Sequence, residues 1–229
     1  MFKAIFAFDF SCNKPAMTSY VDGKIDFYVW PSSIDAKSLD RLSSCDVNVI
    51  DRKLDHIKEK SLNQHELIIE HVNRSINLSE IILSTINSII ESSNIEKSDV
   101  IIANEGFAFS AKGDAALELA GYKYVLMRLL IKEGYTNLKT YSPITIKKTA
   151  GCSRKGLGKD AMINAMANSD DHHHIISVLK NDPEYLKKKS NYVLCMDDIA
   201  DSYWNLKTCI NDLNGKESKI QDNKRRRKK

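Results

Sequence analysis

The sequence predicts an α/β protein in which helices flank a mixed five-stranded sheet of three antiparallel strands followed by parallel ones. Three observations point to this fold class. Apolar segments rich in β-branched and aromatic residues have the composition of buried strands. Asp22-Gly23, between the apolar segments 16–21 and 25–30, is typical of a tight hairpin. A long amphipathic segment, 63–92, then precedes the next strand, as a right-handed crossover requires.

The first strand, within residues 4–11, carries an acid in its middle. Asp9 lies among alanine, isoleucine and phenylalanine residues. A buried carboxylate is unfavourable unless a cation or hydrogen bonds compensate its charge. Asp9 is therefore either a satisfied structural acid or one member of a functional site.

The next part of the chain is expected to hold one long helix. Residues 31–60 are polar and irregular, and we expect an insertion or long loop with a short strand near 47–50. In the helix at 63–92, apolar residues keep the three-and-four spacing of one buried stripe. The stripe consists of Ile68, Val72, Ile76, Ile82, Ile86 and Ile89.

A second strand with an acid follows this helix. Glu105 ends the apolar segment 100–105, and a loop of small residues with two aromatics occupies 106–113. The later elements are expected in the order helix 114–133, strand 138–141, short helix 144–151, basic loop 152–158, helix from about 160 and helix 196–213. The apolar face of helix 114–133 is assigned to Leu117, Ala120, Tyr124, Met127 and Leu130 or Ile131.

The last helix adds two acids to those of the strands. Asp198 and Asp201 are three residues apart, on an edge next to the face that Ile199 and Tyr203 bury. Together with Asp9 and a second strand acid, they form a site whose ligands are all oxygens, which favours Mg²⁺ or Mn²⁺ over zinc. Two such ions could activate water and stabilise the leaving oxygen in phosphodiester hydrolysis.

Composition excludes several protein classes. The chain of 229 residues is 42% hydrophobic and 28% charged, as in ordinary soluble domains. No apolar segment is long enough to span a bilayer, and Asp9 and Lys14 interrupt the N-terminal apolar segment, unlike a signal peptide. Five scattered cysteines without C-x-x-C spacing favour reduced thiols. We therefore expect a cytoplasmic protein without membrane partners.

The positive charge is concentrated at the C terminus. The whole chain has a formal charge of +4, of which residues 224–229 contribute six positive charges, so the rest sums to −2. We expect one domain over 1–215 and a disordered basic tail over 216–229. The tail is either a solvated segment or an electrostatic arm for phosphate contacts. The arm would use Arg225, Arg226 and Arg227.

Four short motifs occur in the order typical of a known family. They are the Phe8-Asp9 strand, the Glu strand and Ala-Lys loop of 101–112 (with one extra residue), the lysine-bearing segment 142–160, and the helix motif 198–203. With them the chain resembles the RuvC-type Holliday-junction resolvases, a branch of the RNase H-like nucleases. The extra length at 31–60 and the basic tail look like those of a bacteriophage or other viral variant, which would act in the bacterial host cytoplasm.

The resemblance implies an RNase H-like fold and a crossover junction endodeoxyribonuclease of DNA recombination and repair, which acts as a homodimer. It implies two Mg²⁺ ions per active site, with Mn²⁺ as a substitute. Lys147 and Lys159 are implied near the scissile phosphate, where they would neutralise charge developing in the transition state. The implied catalytic metal ligands are Asp9, Glu105, Asp198 and Asp201.

Further DNA contacts are expected from the basic and aromatic loops. Backbone phosphates would be contacted by Lys112, Lys148, Arg154 and Lys155. Either Phe107 or Phe109 aligns with the family's junction-probing aromatic, depending on the end from which the loop is counted. Such a side chain could stack on an unpaired base or anchor the loop internally.

Other features have simpler interpretations. Asp197 is expected to complement the dipole of the last helix. The histidines 172–174 are interpreted as polar surface, because no other His or Cys spacing supports a metal site. Alternatives to junction cleavage are an RNase H-like nuclease for RNA–DNA hybrids or packaging-related DNA, and a non-catalytic protein that binds branched DNA.

Helix 114–133 is the predicted dimer interface. Its apolar content exceeds one buried stripe, and Tyr122 and Leu126 are assigned to the surplus face. Alternatively, the helix is central, between the sheet and helix 63–92.

Overall fold

The first strand, β1 (Ala4–Asp9), is the strand around which the sheet is built. It pairs antiparallel with β2 (Ala16–Val21) and parallel with β5 (Val100–Glu105). Its residues from Ala4 to Phe8 are buried, as their apolar composition predicts. The computed structural model describes residues 2–50, 52, 63–106, 114–154, 157 and 160–215.

Within these ranges the main sheet has six strands rather than the five expected. Strand β3 (Lys24–Val29) pairs antiparallel with β2, β4 (Val47–Val49) pairs parallel with β3, and β6 (Leu138–Tyr141) pairs parallel with β5. The order is β4-β3-β2-β1-β5-β6. The predicted mixed sheet of antiparallel and parallel strands flanked by helices is confirmed. The sixth strand, β4, is the short strand expected near 47–50, and it lies at the edge of the sheet.

The helices follow the sequence prediction closely except between residues 31 and 50. There, α1 (Ala36–Ser43) replaces an expected loop, because Asp35 caps its first turn and Leu42 packs in the core. The other helices in the described ranges are α2 (Gln64–Ser92), α3 (Asp114–Lys132), α4 (Pro143–Thr149), α5 (Asp160–Ala167), α6 (His174–Asn181) and α7 (Met196–Leu213). A hairpin of β7 (Lys187–Lys188) and β8 (Asn191–Tyr192) precedes α7.

Two hydrophobic layers cover the two faces of the sheet. Ala7 and Ile101 face a core completed by α5, α6 and α7, whereas Phe6 and Phe8 face a core completed by α2 and α3. The alternation follows from the two-residue period of a strand. No helix in the described ranges is long and apolar enough to cross a membrane.

The buried faces of α2 and α3 differ from those predicted. In the first turns of α2, Ile68, Val72 and Ile76 are exposed, because these turns face the start of α3 across an open groove. The buried apolar residues of α2 are Leu78, Ile82, Ile86 and Ile90. The buried face of α3 consists of Tyr122, Leu126 and Leu130. Three residues of the predicted face, Leu117, Tyr124 and Ile131, are exposed instead.

Candidate active site

The parallel pairing of β1 with β5 brings two acids together. Phe8 lies opposite Asn104 in the register, so the next residues, Asp9 and Glu105, both end their strands at the same edge of the sheet. Their carboxyl groups are hydrogen-bonded to each other. Two carboxyl groups make such a bond only when one holds a proton. The edge of the sheet therefore holds two acids whose ionisation states depend on each other.

Helix α7 brings the other two acids to this edge. The residue before it, Cys195, is the N-cap and has a φ of 71°, so the chain turns sharply into the helix. One turn beyond Asp201, the buried Asn205 donates from Nδ2 to the carbonyl oxygens of Phe8, at 2.9 Å, and Ala103, at 3.3 Å. The helix is thus tied across both acid-bearing strands.

Burial raises the pKa of all four acids, and repulsion from neighbouring carboxylates adds to this effect at Asp9, Asp198 and Asp201. Removal from water, followed by the charges of Asp201, Asp198 and Glu105, raises the pKa of Asp9 well above its usual value. Burial is also the main cause that raises the pKa of Glu105. Burial and Asp197 raise the pKa of Asp198 to about 6, and burial and Glu105 raise that of Asp201 to about 7. The four carboxylates therefore act on one another electrostatically as one cluster.

Two lysines that the sequence prediction missed border this cluster. Lys14 Nζ lies 2.8 Å from Asp198 Oδ2 and 3.2 Å from Asp197 Oδ1. Lys123 of α3 is buried and donates to the backbone oxygen of Glu105. Burial lowers the pKa of Lys123, and Glu105 and Asp9 oppose this shift.

Each missed lysine had a signal in the sequence. Lys123 lies next to Tyr122 and three residues before Leu126, so it interrupts the apolar pattern of a helix. Lys14 follows the first acid-bearing strand by five residues and is the nearest basic residue after it. A buried acid requires a compensating cation, so the nearest lysine was a candidate.

The predicted Lys147 lies close enough to act on the cluster. It belongs to α4, which starts at the capping residue Ser142 and Pro143. Its charge lowers the pKa of Glu105 and Asp201 against the larger effect of burial. Lys148 and Arg154 are exposed nearby in the chain. The other predicted DNA contacts lie outside the described residues: Phe107, Phe109, Lys112, Lys155, Lys159, Arg225, Arg226 and Arg227.

Asp197 of α7 and the histidines at 173 and 174 have structural contacts. Burial would raise the pKa of Asp197, but a hydrogen bond with Asp198 and the Lys14 ammonium lower it below the usual value. His173 accepts from the backbone N–H of Ile175 and caps α6. His174 Nδ1 lies 3.3 Å from Asp46 Oδ2.

The four acids have the chemistry to bind a divalent cation, but their side chains are not arranged to coordinate one. All four acids offer carboxylate oxygens, which Mg²⁺ and Mn²⁺ prefer as ligands. Yet no group of three or more His, Cys, Asp or Glu side chains in the described part of the chain is arranged to hold a metal ion. Asp9 is bonded to Glu105, and Asp198 is paired with Lys14. These contacts would have to change for the oxygens to share a cation.

Comparisons with known proteins give matches only among solved structures. No protein-family model and no curated protein sequence matches the chain. Thermus thermophilus RuvC in complex with a Holliday junction substrate is similar with a TM-score of 0.42 and 9% identity, covering 88% of this chain and 90% of that one. A second Thermus thermophilus RuvC structure is similar with a TM-score of 0.39 and 8% identity, covering 88% of this chain and 93% of that one. The yeast mitochondrial Holliday junction resolvase Ydc2 is similar with a TM-score of 0.36 and 14% identity, covering 89% of this chain and 79% of that one.

Proposed function

We propose that this chain is a divalent-cation-dependent endonuclease that hydrolyses phosphodiester bonds in branched DNA, with four-way junctions as its main substrate. The observation that carries the proposal is the convergence of four acids from β1, β5 and α7, all with raised pKa values. A protein that only bound DNA would gain nothing from placing carboxylates against phosphates. The four motifs resembling RuvC-type resolvases support branched DNA as the substrate.

The acids and lysines divide the chemistry between them. Asp9, Glu105, Asp198 and Asp201 would hold two Mg²⁺ ions, or Mn²⁺ in their place. When bound, these ions supply an activated water and charge neutralisation at the leaving oxygen. Lys147, whose charge acts on Glu105 and Asp201, would neutralise the charge that develops on a non-bridging phosphate oxygen.

Other residues keep this arrangement in place. Lys123 holds the backbone oxygen of Glu105 and so orients that strand end. Asn205 keeps α7 in register with β1 and β5, and therefore keeps Asp201 over the strand acids. Rigid placement of this kind is needed because a small misplacement of ligands is costly for catalysis.

We also propose that the protein acts as a homodimer. Two opposed strands of a four-way junction must be cut at symmetric positions, and a two-fold dimer with one site per subunit provides this symmetry. Exposed apolar residues on the first turns of α2 and α3, among them Ile68 and Leu117, support such an interface.

The proposal is tested with labelled four-way junction, flap, duplex and RNA–DNA hybrid substrates, each with Mg²⁺ and with EDTA. We expect Mg²⁺-dependent cleavage with the junction cut fastest. Asp9→Asn, Glu105→Gln and Asp198→Asn should each reduce cleavage more than about 100-fold, since even residues behind metal ligands cost 10- to 100-fold. Junction binding should persist or tighten, because each change removes repulsion toward DNA.

Asp212→Asn is the matched control, since Asp212 is on the same helix but pairs with Lys139 at 2.5 Å, apart from the acid cluster. It should cut at the wild-type rate. Full turnover by any of the three active-site variants contradicts the metal-ligand assignment. Fastest cleavage of the hybrid would favour an RNase H-like nuclease of different substrate class, and binding without any cleavage would favour a non-catalytic role.

A further inference from the structure

Lys14 has contacts that the proposed reaction does not use. Its ammonium lies 2.8 Å from Asp198 Oδ2 and 3.2 Å from Asp197 Oδ1. The Asp198 residue is only 7% exposed. An ion pair with so buried a carboxylate differs from surface pairs, which contribute little.

The turn that carries Lys14 is fixed by four hydrogen bonds. Within it, the Lys14 N–H donates to Ser11 Oγ at 2.8 Å. The buried Arg52 donates to the Cys12 carbonyl at 2.7 Å. The segment after β3 supplies the other two bonds, from the N–H of Trp30 to Pro15 O at 3.1 Å and from that of Ser32 to Asn13 O at 2.7 Å. The backbone therefore delivers this lysine to the acids in a defined position.

The position of the ammonium matters because Asp198 is one of the four proposed metal ligands. A cation already at Asp198 Oδ2 neutralises the charge that would attract a second cation. Two cations within about 4 Å of each other repel strongly even at an effective dielectric constant of about 20. A divalent ion can use Asp198 fully only if the ammonium moves away.

We propose that Lys14 is a positioning residue that acts as a built-in counter-cation: it occupies the Asp198 side of the acid cluster in the free protein and releases it when DNA binds. The inference rests on the proposed metal-dependent nuclease function. A backbone phosphate is a suitable replacement partner, because the lysine ammonium binds phosphate as a point charge on a flexible stem. One divalent cation is then bound in the free protein, through Asp9, Glu105 and Asp201. The second is bound tightly only with DNA.

The test measures Mn²⁺ binding to the full chain without DNA, by calorimetry and by electron paramagnetic resonance of free Mn²⁺. The proteins compared are the wild type, Lys14→Met, Lys14→Arg and Lys139→Met. Lys14→Met should bind the weaker Mn²⁺ at least about tenfold more tightly, because a nearby like charge has been removed. Lys14→Arg keeps the charge and should resemble the wild type. Lys139→Met removes a lysine of similar exposure from the Asp212 pair and should also resemble it.

A second measurement uses the wild type alone and so does not depend on a variant folding. A four-way junction with non-cleavable 3′-methylenephosphonate linkages, in which carbon replaces the leaving oxygen, should tighten the weaker Mn²⁺ site at least about tenfold, since a phosphonate oxygen then takes the ammonium. Unchanged or weaker Mn²⁺ binding in Lys14→Met, or no effect of the junction on the wild type, overturns the role of Lys14 while leaving the nuclease proposal standing. Absence of Mn²⁺ binding by the wild type without DNA overturns the role of Lys14, and absence of Mn²⁺ binding both without and with the junction overturns the nuclease proposal as well.

Discussion

At the residue scale, the balance between acids and lysines sets the properties of the site. Lys14 forms an ion pair with Asp198, and Lys123 donates to the backbone oxygen of Glu105. The charge of Lys147 lowers the pKa of Asp201. These cations reduce, but do not remove, the repulsion among the acids, whose pKa values stay raised. In the free protein the ionised carboxylates therefore repel one another, and bound protons or cations reduce this repulsion.

The first prediction concerns the pH dependence of stability in EDTA. The pKa of Asp201 is about 7 in the folded protein and about 3.9 in an unfolded chain. Between these values the folded state binds more protons, so the contribution of Asp201 to the free energy of unfolding falls as the pH rises from about 4 to 7. Asp201→Asn removes this loss. In urea unfolding at pH 8 the variant should be more stable than the wild type by on the order of 2 kcal/mol, and the difference should shrink toward pH 5.

Two features of the protein make this a controlled comparison. Burial lowers the pKa of His173, which gives an opposite slope near pH 6, but this contribution is common to both proteins and cancels. Asp212→Asn is the matched control. The hydrogen bond from Lys139 lowers the pKa of Asp212, so it is ionised at both pH values and its effect should not vary between them. A stability difference for Asp201→Asn that is independent of pH contradicts the raised pKa.

At the element scale, α7 is held against the sheet by polar contacts on its buried face. Asn205 bridges β1 and β5, and Ser202 Oγ lies 2.8 Å from Thr18 Oγ1 of β2. Trp204 Nε1 donates to the Met162 carbonyl of α5 at 3.0 Å. Directional contacts of this kind fix the rotation of the helix about its axis, which apolar packing alone specifies less sharply.

The second prediction concerns Asn205→Ala. Loss of the amide leaves two backbone carbonyls with fewer donors in a buried region, so the free energy of unfolding should fall by about 1–3 kcal/mol. Cleavage should also fall, because Asp201 is one turn away on the same helix. Asn73→Ala is the matched control, since Asn73 is exposed within α2. Equal stability losses in urea unfolding of the two variants would show that the bridge across the strands is unimportant.

At the scale of the whole molecule, the described residues expose several large apolar side chains along one groove. Leu117 is 73% exposed and Ile68 is 58% exposed, and both line the groove between α2 and α3. The surplus apolar face of α3 is therefore real, but Tyr122 and Leu126, which the sequence assigned to it, are buried at 4% and 0% exposure. These two residues belong to the core that α3 shares with α2 and the sheet.

The third prediction tests the proposed dimer with the exposed residues. Leu117→Glu or Ile68→Glu should give a folded monomer in sedimentation velocity, because a charge in an apolar interface opposes association. The monomer should nick junctions but not resolve them. Ile131→Glu, near the other end of α3 and 54% exposed, is the control and should remain dimeric. Leu126→Glu should instead unfold the chain. A wild type that stays monomeric at micromolar concentration with DNA present rules out the dimer.

The sequence by itself determined the elements and the order in which the acids appear along them. The apolar composition of β1 and β5, the hairpin at Asp22-Gly23 and the periodicity of α7 are local properties, so they could be predicted with few errors of boundary. Parallel pairing of two such strands then requires Asp9 and Glu105 to end at one edge. The short helix α1 was missed because it spans only eight mostly polar residues within a polar segment, and a helix this short is marginal without tertiary packing.

Only the tertiary structure decided which side chains meet across the chain. Lys14 and Asp198 are 184 residues apart, and nothing local to either residue states that they pair. The rotation of α3, which buries Tyr122 and Lys123 and exposes Leu117, depends on the shapes of α2 and the sheet beneath it. A helix with apolar residues on several faces has more than one acceptable orientation, and packing against its neighbours selects one. The counter-ions of the site and its exposed apolar surface were therefore fixed by packing.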